Sequence, residues 1–354
     1  ATPAANNASV AMAKVGRASA SASGGVNGLV RAFFGIAAAR KAIGTISDLE
    51  SGLVTLGTVT GKTGKQLDEL KETAVEVARS TRFTPEETIG ALLSLSRAGQ
   101  SASQAAESLV SVTQLAQAGV TSLGQAADLT AATIAQFSLK EEAAAKAASV
   151  LVATADRTKS TVLSLGASLA QAGQAAATFG VSLSETAAVA GVLQDSGVQA
   201  SRAGRAIKTI LAQLASAGDR SEKSRESLKK LGIEIGDVIP SKTQKFTDVL
   251  RNLRDGLVGI GGEERTNILR NLVGKDFFAV LSAAIQGIEK IDRVSAIAAD
   301  SVGELADKAN RQNETLAASI RGVSSAFQEV LIEADGSKSV LKDVFDTLAD
   351  TIRV

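Results

Sequence analysis

Over most of this chain, apolar residues recur at steps of three and four, the spacing that gathers them onto one face of an α-helix. Residues 28–46 carry Leu29, Phe33, Ile36, Ile43 and Ile46 in this way, with Arg40 interrupting the stripe. A loop from Gly57 to Gly64 follows, and Leu67, Leu70, Ala74 and Val77 then form the face of a helix over Gln66–Arg79.

From Thr84 the helices carry their own start signals. Thr84 offers a cap oxygen, Pro85 stands where its missing N–H costs nothing, and Glu87 can reach back to the cap N–H. Gly99 ends that helix. The pattern recurs from Ser101 and Gln104 to Gly119, Ser122 and Gln125 to Phe137, Ser138 and Glu141 to Ala155, and Ser182 and Glu185 to Gly197. Thr63 and Gln66 form one more candidate box. The segments Thr84–Gly99 and Ser182–Gly197 have equal length and share a Glu-Thr pair, a weak internal repeat. Such repetition predicts stacked helical hairpins, because no single helix can bury its face alone.

Between the repeats, Ser160–Ser184 contains no charge. Val162, Leu165, Leu169, Ala172, Ala176 and Phe179 make an apolar stripe, and Gly166, Ala170, Gly173, Ala177 and Gly180 a small one that lets a second backbone come close. A membrane span is the sharper reading of this run, but its serines and glutamines favour a buried helix. After Gly218 the composition turns charged, and helices are expected over Thr243–Val258, Glu263–Leu272 and Asp276–Ile285. From Ile288 to Ile332 apolar residues recur without a strong breaker except Gly303 and Gly322, including Leu305, Leu316 and Phe327. This predicts a long helix with a coiled-coil-like seam, suited equally to a core or to self-association.

The expected fold is therefore all-α: an array of short antiparallel helices and helical hairpins, then a long, coiled-coil-like helix. Four parts follow: a low-complexity segment over 1–25, a helical-hairpin core over 26–218, a charged helical subdomain over 219–287, and the long helix with a final amphipathic one over 288–354. The candidate contacts between helices or between copies are Gly166, Gly173, Gly180, Leu305, Leu316 and Phe327. Residues 1–25 lack the pattern of a signal peptide. The absence of an initial Met, and a helical pattern that stops at Arg353-Val354, suggest a piece of a longer chain.

Composition narrows the chemistry. The chain of 354 residues has no Cys and no His, which removes thiolate nucleophiles, disulfides, the usual zinc sites and imidazole acid–base catalysis. With no Trp, no Tyr and 10 Phe, packing relies on small aliphatic side chains. Net charge is +1, yet Lys14, Arg17, Arg31, Arg40 and Lys41 precede the first acidic residue, Asp48. A solvated tail accounts for that segment, with contact to DNA or an anionic membrane as the functional alternative. Gly57 to Thr63 resembles a phosphate loop but is one residue short, and no later strand supplies the magnesium-binding Asp. The pairs Glu86-Glu87, Glu141-Glu142 and Glu263-Glu264 lie at helix starts, where they complement the dipole. No catalytic residue, metal ligand or cofactor is expected.

An ordered set of segments also resembles the core region of the phage tail tape measure family. The set runs from the loop at Gly61–Gly64 through Ser80–Glu87, Ala98-Gly99, Leu115–Ala118, Phe137–Leu139 and Val150–Ala155. It continues through Ala177–Thr186, Gly197–Gly204, Ile207–Leu214, Leu231–Ile233 and Leu269–Gly274, about three quarters of the chain in all. The resemblance implies a non-enzymatic scaffold that sets tail length, templates tube assembly inside the lumen and takes part in genome ejection. It implies self-association, with a trimer as the candidate state. The implied partners are the tail tube protein, tail assembly chaperones and baseplate or tail tip proteins, with transient contact to DNA or the host membrane. It would lie in the tail tube lumen of the virion, and in the host cytoplasm during assembly. The chain departs from the family in its modest length and in lacking a Pro near Gly336. Fully helical, it would reach about 530 Å, and glycine-punctuated helices cannot all be extended, so a folded domain of a longer ruler is expected. A membrane-inserting ejection channel and a signalling helical hairpin are the alternatives.

Overall fold

The computed structural model describes residues 48–139, 143–217, 221–240 and 244–313. Expectations for 1–47, for Glu141-Glu142 and for everything beyond 313, including Leu316 and Phe327, lie outside them. All regular structure among the described residues is helical. The first half consists of α1 (48–60), α2 (Lys65–Arg79), α3 (Pro85–Arg97), α4 (Ala102–Ala118), α5 (Leu123–Phe137), α6 (Ala143–Arg157), α7 (Val162–Thr178), α8 (Leu183–Asp195) and α9 (Ala200–Ala215). The second consists of α10 (Glu222–Leu231), a 3₁₀ turn (Ile235–Val238), α11 (Phe246–Gly256), α12 (Gly262–Val273), α13 (Phe278–Gln286), α14 (Ile288–Ala299) and α15 (Val302–Asn313).

The caps set the starts. At α3 the Thr84 hydroxyl accepts the Glu87 N–H at 3.3 Å while the Glu87 carboxylate accepts the Thr84 N–H at 2.9 Å. Each such box satisfies two donors that the first helical turn leaves without partners. The same reciprocal pair opens α4 at Ser101 and Gln104, α5 at Ser122 and Gln125, and α8 at Ser182 and Glu185. A shorter version at Thr161 and Ser164 opens α7. Two expected start signals are not used. Helix α2 starts after Gly64, with no side-chain cap, so Thr63 does not cap it. Ser138 takes φ 48°, ψ 42° and ends α5 in the left-handed conformation instead of starting α6, because an N-cap needs extended backbone.

Ends follow an equally regular rule. Gly99, Gly180 and Gly197 follow α3, α7 and α8 with positive φ, and the glycine N–H and the one after it bond back into the last turn. In α4 the left-handed position falls on Val120, at φ 51°. The glycine, one place earlier at 119, is taken up by a close approach: a Cβ there would lie 2.8 Å from both the Leu115 carbonyl and Val162 Cγ2.

Short helices with short turns stack in two rows. Each helix touches its successor and also the helix after that, so α3, α5, α7 and α9 form one row and α2, α4, α6 and α8 the other. Glycines set the spacing within the first row. An added Cβ at Gly166 or Gly173 of α7 would strike Leu129 and Gln136 of α5, and one at Gly204 of α9 would strike the Ser168 carbonyl of α7.

The chain then returns. Helix α14 packs on α6 and α8, and α15 on α4 and α6, so 288–313 forms a third layer over the second row. Helix α8 becomes the centre: every residue from Leu183 to Leu193 is buried, the polar Ser184, Glu185 and Thr186 of its first turn included. Helices α10 to α13 close the end of the rows against α8 and α9. One cluster of buried apolar side chains runs from Leu49 to Leu305.

The long helix expected from Ile288 is broken within the described residues. At Asp300 the backbone leaves the helix, and the Ser301 hydroxyl donates to the Ala298 carbonyl at 2.9 Å, buried at the corner between α14 and α15. The apolar spacing was real, since Ile288, Ile291, Val294, Ala298 and Leu305 are all buried. They face the second row of the same chain, which periodicity alone does not distinguish from a coiled-coil seam.

Candidate interaction surfaces

The phosphate-loop reading fails on local structure. Residues 53–60 are helical throughout, so no strand precedes the loop, and Gly57 packs against the Lys62 carbonyl and the Leu67 side chain. A phosphate cradle needs strand, loop and helix in that order. Among the described residues, no group of three or more acidic side chains is placed to hold a metal ion.

Of the paired carboxylates, Glu87 completes a cap, while Glu263 and Glu264 lie in the first turn of α12 without capping it. Glu87 holds the Thr84 N–H and Glu264 pairs with Lys230 at 2.8 Å. Partial burial raises the pKa of Glu86, and repulsion from Asp48 and Glu87 adds to it. A groove of about 770 Å³ between α4, α5 and α6 is lined mainly by Ala, Gly, Ser and Gln with a single carboxylate, Glu107. Its one described carboxylate accepts the Ser103 hydroxyl at 3.1 Å, and no basic side chain stands among the described lining residues.

Of the candidate contact residues, Gly166 and Gly173 are used between α7 and α5, and Leu305 is only 2% exposed in α15 over α4 and α6. Gly180 forms the left-handed turn after α7. These contacts lie within one chain.

The polar contacts that fix the return layer were not legible beforehand. Lys290 pairs with Asp195 at 2.7 Å, Arg157 with Glu304 at 3.1 Å, and Lys308 with Asp156. The Lys146 ammonium donates to the Ala299 carbonyl at the end of α14. Arg251 bridges Asp292 and Asp248, each at 2.6 Å, and those two hydrogen bonds raise its pKa, Asp292 contributing most. These pairs line the flanks of α14 and α15. Exposed ion pairs contribute little energy each, but their geometry sets which face of each helix turns inward. The only sequence signal was the alternation of sign over Glu289, Lys290 and Asp292; partners up to 153 residues away left none.

No described helix is long and apolar enough to cross a membrane, and α7, the candidate span, has 17 residues. Helices of this length, ended by left-handed turns, also lack the uninterrupted heptads of a signalling hairpin.

The model of the phage-related minor tail protein family matches residues 71–274, more than half of the chain and the greater part of both rows. The chain belongs to this family. Two relatives carry more specific names. The tape measure protein of Pneumococcus phage Dp-1 is 24% identical over 303 residues, covering 84% of this chain and 26% of the relative. A protein of Escherichia phage P2 described as "Probable tape measure protein" is 24% identical over 152 residues, 41% of this chain and 18% of the relative. The chain thus spans about a quarter or less of the curated relatives it matches. No solved structure matches it. Within the family, the matched region is the part built on α2 to α12, while α13 to α15 close it from outside the match.

Proposed function

We propose that this chain is a folded segment of a phage tail tape measure protein, a structural scaffold of the tail and not an enzyme. The observation that carries the reading is collinear similarity to a tape measure protein along 84% of the chain, combined with a family match across both helical rows. The segment works as a compact body attached to a ruler. The extended part lies elsewhere in a parent chain several times longer.

Length determination, templating of the tube in its lumen and a part in genome ejection belong to that whole parent. Self-association as a trimer and binding to tail tube protein, assembly chaperones and tip proteins belong to it as well. The charged subdomain over 219–287 then acts as the cap on the open end of the rows.

The test compares in-frame deletions in the parent and measures tails by electron microscopy. Deletions in the extended part shorten tails by about 1.5 Å per residue removed. Removal of a helical pair inside 48–313 lowers the yield of tails without that proportion. Normal tails in normal yield after deletion of 48–313 would remove the structural role. Proportional shortening from deletions inside it would make it part of the rod.

A further inference from the structure

Several long cations that the structure describes have a definite anionic partner, as at Arg157, Lys230, Arg251, Arg254, Lys290 and Lys308. Helix α9 carries three that do not, on a side with no acidic residue of its own. Arg202, Arg205 and Lys208 stand exposed at steps of three along one side, and none pairs with a described carboxylate.

Their own stretch of chain offers few anions. From Ser160 to Ala217 the sequence holds two acidic residues, Glu185 and Asp195. Glu185 is buried, facing Thr247, and Asp195 is engaged by Lys290 and the Lys159 N–H. The neighbouring α7 carries no charge. Its exposed side presents Ala167, Ala170, Gln171 and Gln174, and Gln171 lies against Gly204, so the outer faces of α7 and α9 adjoin. The exposed residues of α7 and α9 thus include three cations, two amide donors and no anion.

The chemistry of this face selects its occupant. A protein partner needs bulky anchors at the centre of an interface, and this face offers alanines and one exposed leucine, Leu163. Unstacked bases need aromatic platforms; the chain has no Trp or Tyr, and no Phe is exposed on α7 or α9. A duplex phosphate backbone needs only closely spaced cations and neutral donors. Residues 202 and 208 lie about 9 Å apart along the axis, a span over which duplex DNA presents about five phosphates. We propose that the joint outer face of α7 and α9 binds the backbone of duplex DNA without reading its sequence.

The experiment is fluorescence anisotropy of a labelled 20-base-pair duplex of arbitrary sequence with the full chain, titrated between 20 and 200 mM NaCl. Three phosphate contacts contribute about −2.7 to the slope of log affinity against log salt, about a 40-fold loss between 50 and 200 mM. The variant R202Q/R205Q/K208Q loses that part of the slope, while R202K/R205K keeps it and circular dichroism melting is unchanged in both. The same loss is expected in a background where Lys14, Arg17, Arg31, Arg40 and Lys41 are glutamine, which separates α9 from the basic N-terminal segment. No binding at 20 mM salt, an unchanged slope in the triple variant, or loss of binding only in the N-terminal variant would each overturn the proposal. So would a poly-glutamate chain binding as tightly as DNA, since the face would then suit an acidic protein.

Discussion

Replacing glycine by alanine inside a helix should have opposite effects at two positions of this chain. In α3, Gly90 is exposed and an added methyl would meet nothing within 4 Å. The gain in helix propensity then acts alone, about 0.8–1 kcal/mol in favour of the fold. In α9, the methyl of Gly204→Ala would strike the Ser168 carbonyl oxygen and lie 2.8 Å from Gln171 Cβ. Because the obstacle is backbone, α7 and α9 must move apart by about an ångström, against a core packed at crystal density. That shift also strains the Ser168 hydroxyl, which donates to the Ala200 carbonyl at 2.8 Å and accepts from Gln194 at 3.3 Å. Overpacking of this kind costs about 1–3 kcal/mol. With the upper part of that range set against the propensity gain, the net loss is about 2 kcal/mol. Urea denaturation followed by circular dichroism measures both variants on one scale. If Gly204→Ala were as stable as the parent, α7 and α9 would not be in the contact described, and the reasoning would fail.

Three further outcomes follow from local geometry. Val120 is 70% exposed at φ 51°, so Val120→Gly relieves strain at no loss of packing and stabilises by about 1 kcal/mol in thermal melts; a destabilised variant would refute it. Leu305→Ala opens a cavity under the return layer and should cost about 2–5 kcal/mol, with hydrogen exchange accelerating first in α14 and α15; uniform acceleration would mean the layer does not open separately. Glu86, whose pKa is raised by burial with help from Asp48 and Glu87, makes its contribution below the ordinary carboxylate value of 4.5. That contribution is lost as pH rises through the folded value. Glu86→Gln should therefore lose less stability than the parent between pH 4 and pH 7, by a small margin at an exposed site; parallel profiles would contradict the shift.

Helix identity was legible because these helices advertise themselves. Thr84, Ser101, Ser122 and Ser182 each stand three residues before a Glu or Gln, and glycines mark most ends, so both boundaries were written locally. Ser138 misled because a serine that ends one helix in the left-handed conformation has the same neighbours as a serine that begins the next. The break at Asp300 was hidden for a related reason: neither Asp300 nor Ser301 is a strong breaker, and the corner is fixed by the surface of α4 and α6. Gly166 and Gly173 were legible as close-contact positions, but their partner was not, since Leu129 and Gln136 lie on a helix whose placement no local signal gives. The pairing of Lys308 with Asp156 was beyond reach of any local rule. Similarity named the family, and composition had already removed the common catalytic side chains.

The central claim is that this chain remains a folded body and not a stretch of extended rod, and one distance tests it. Asp156 and Lys308 lie 152 residues apart in sequence and touch across α6 and α15. Since the chain has no native cysteine, spin labels at D156C and K308C can be read by pulsed electron resonance in the isolated chain and in assembled tails. The account predicts one narrow distance below about 20 Å in both, whereas a continuous helix would separate the labels by about 230 Å. A short distance in solution that disappears in assembled tails would contradict it.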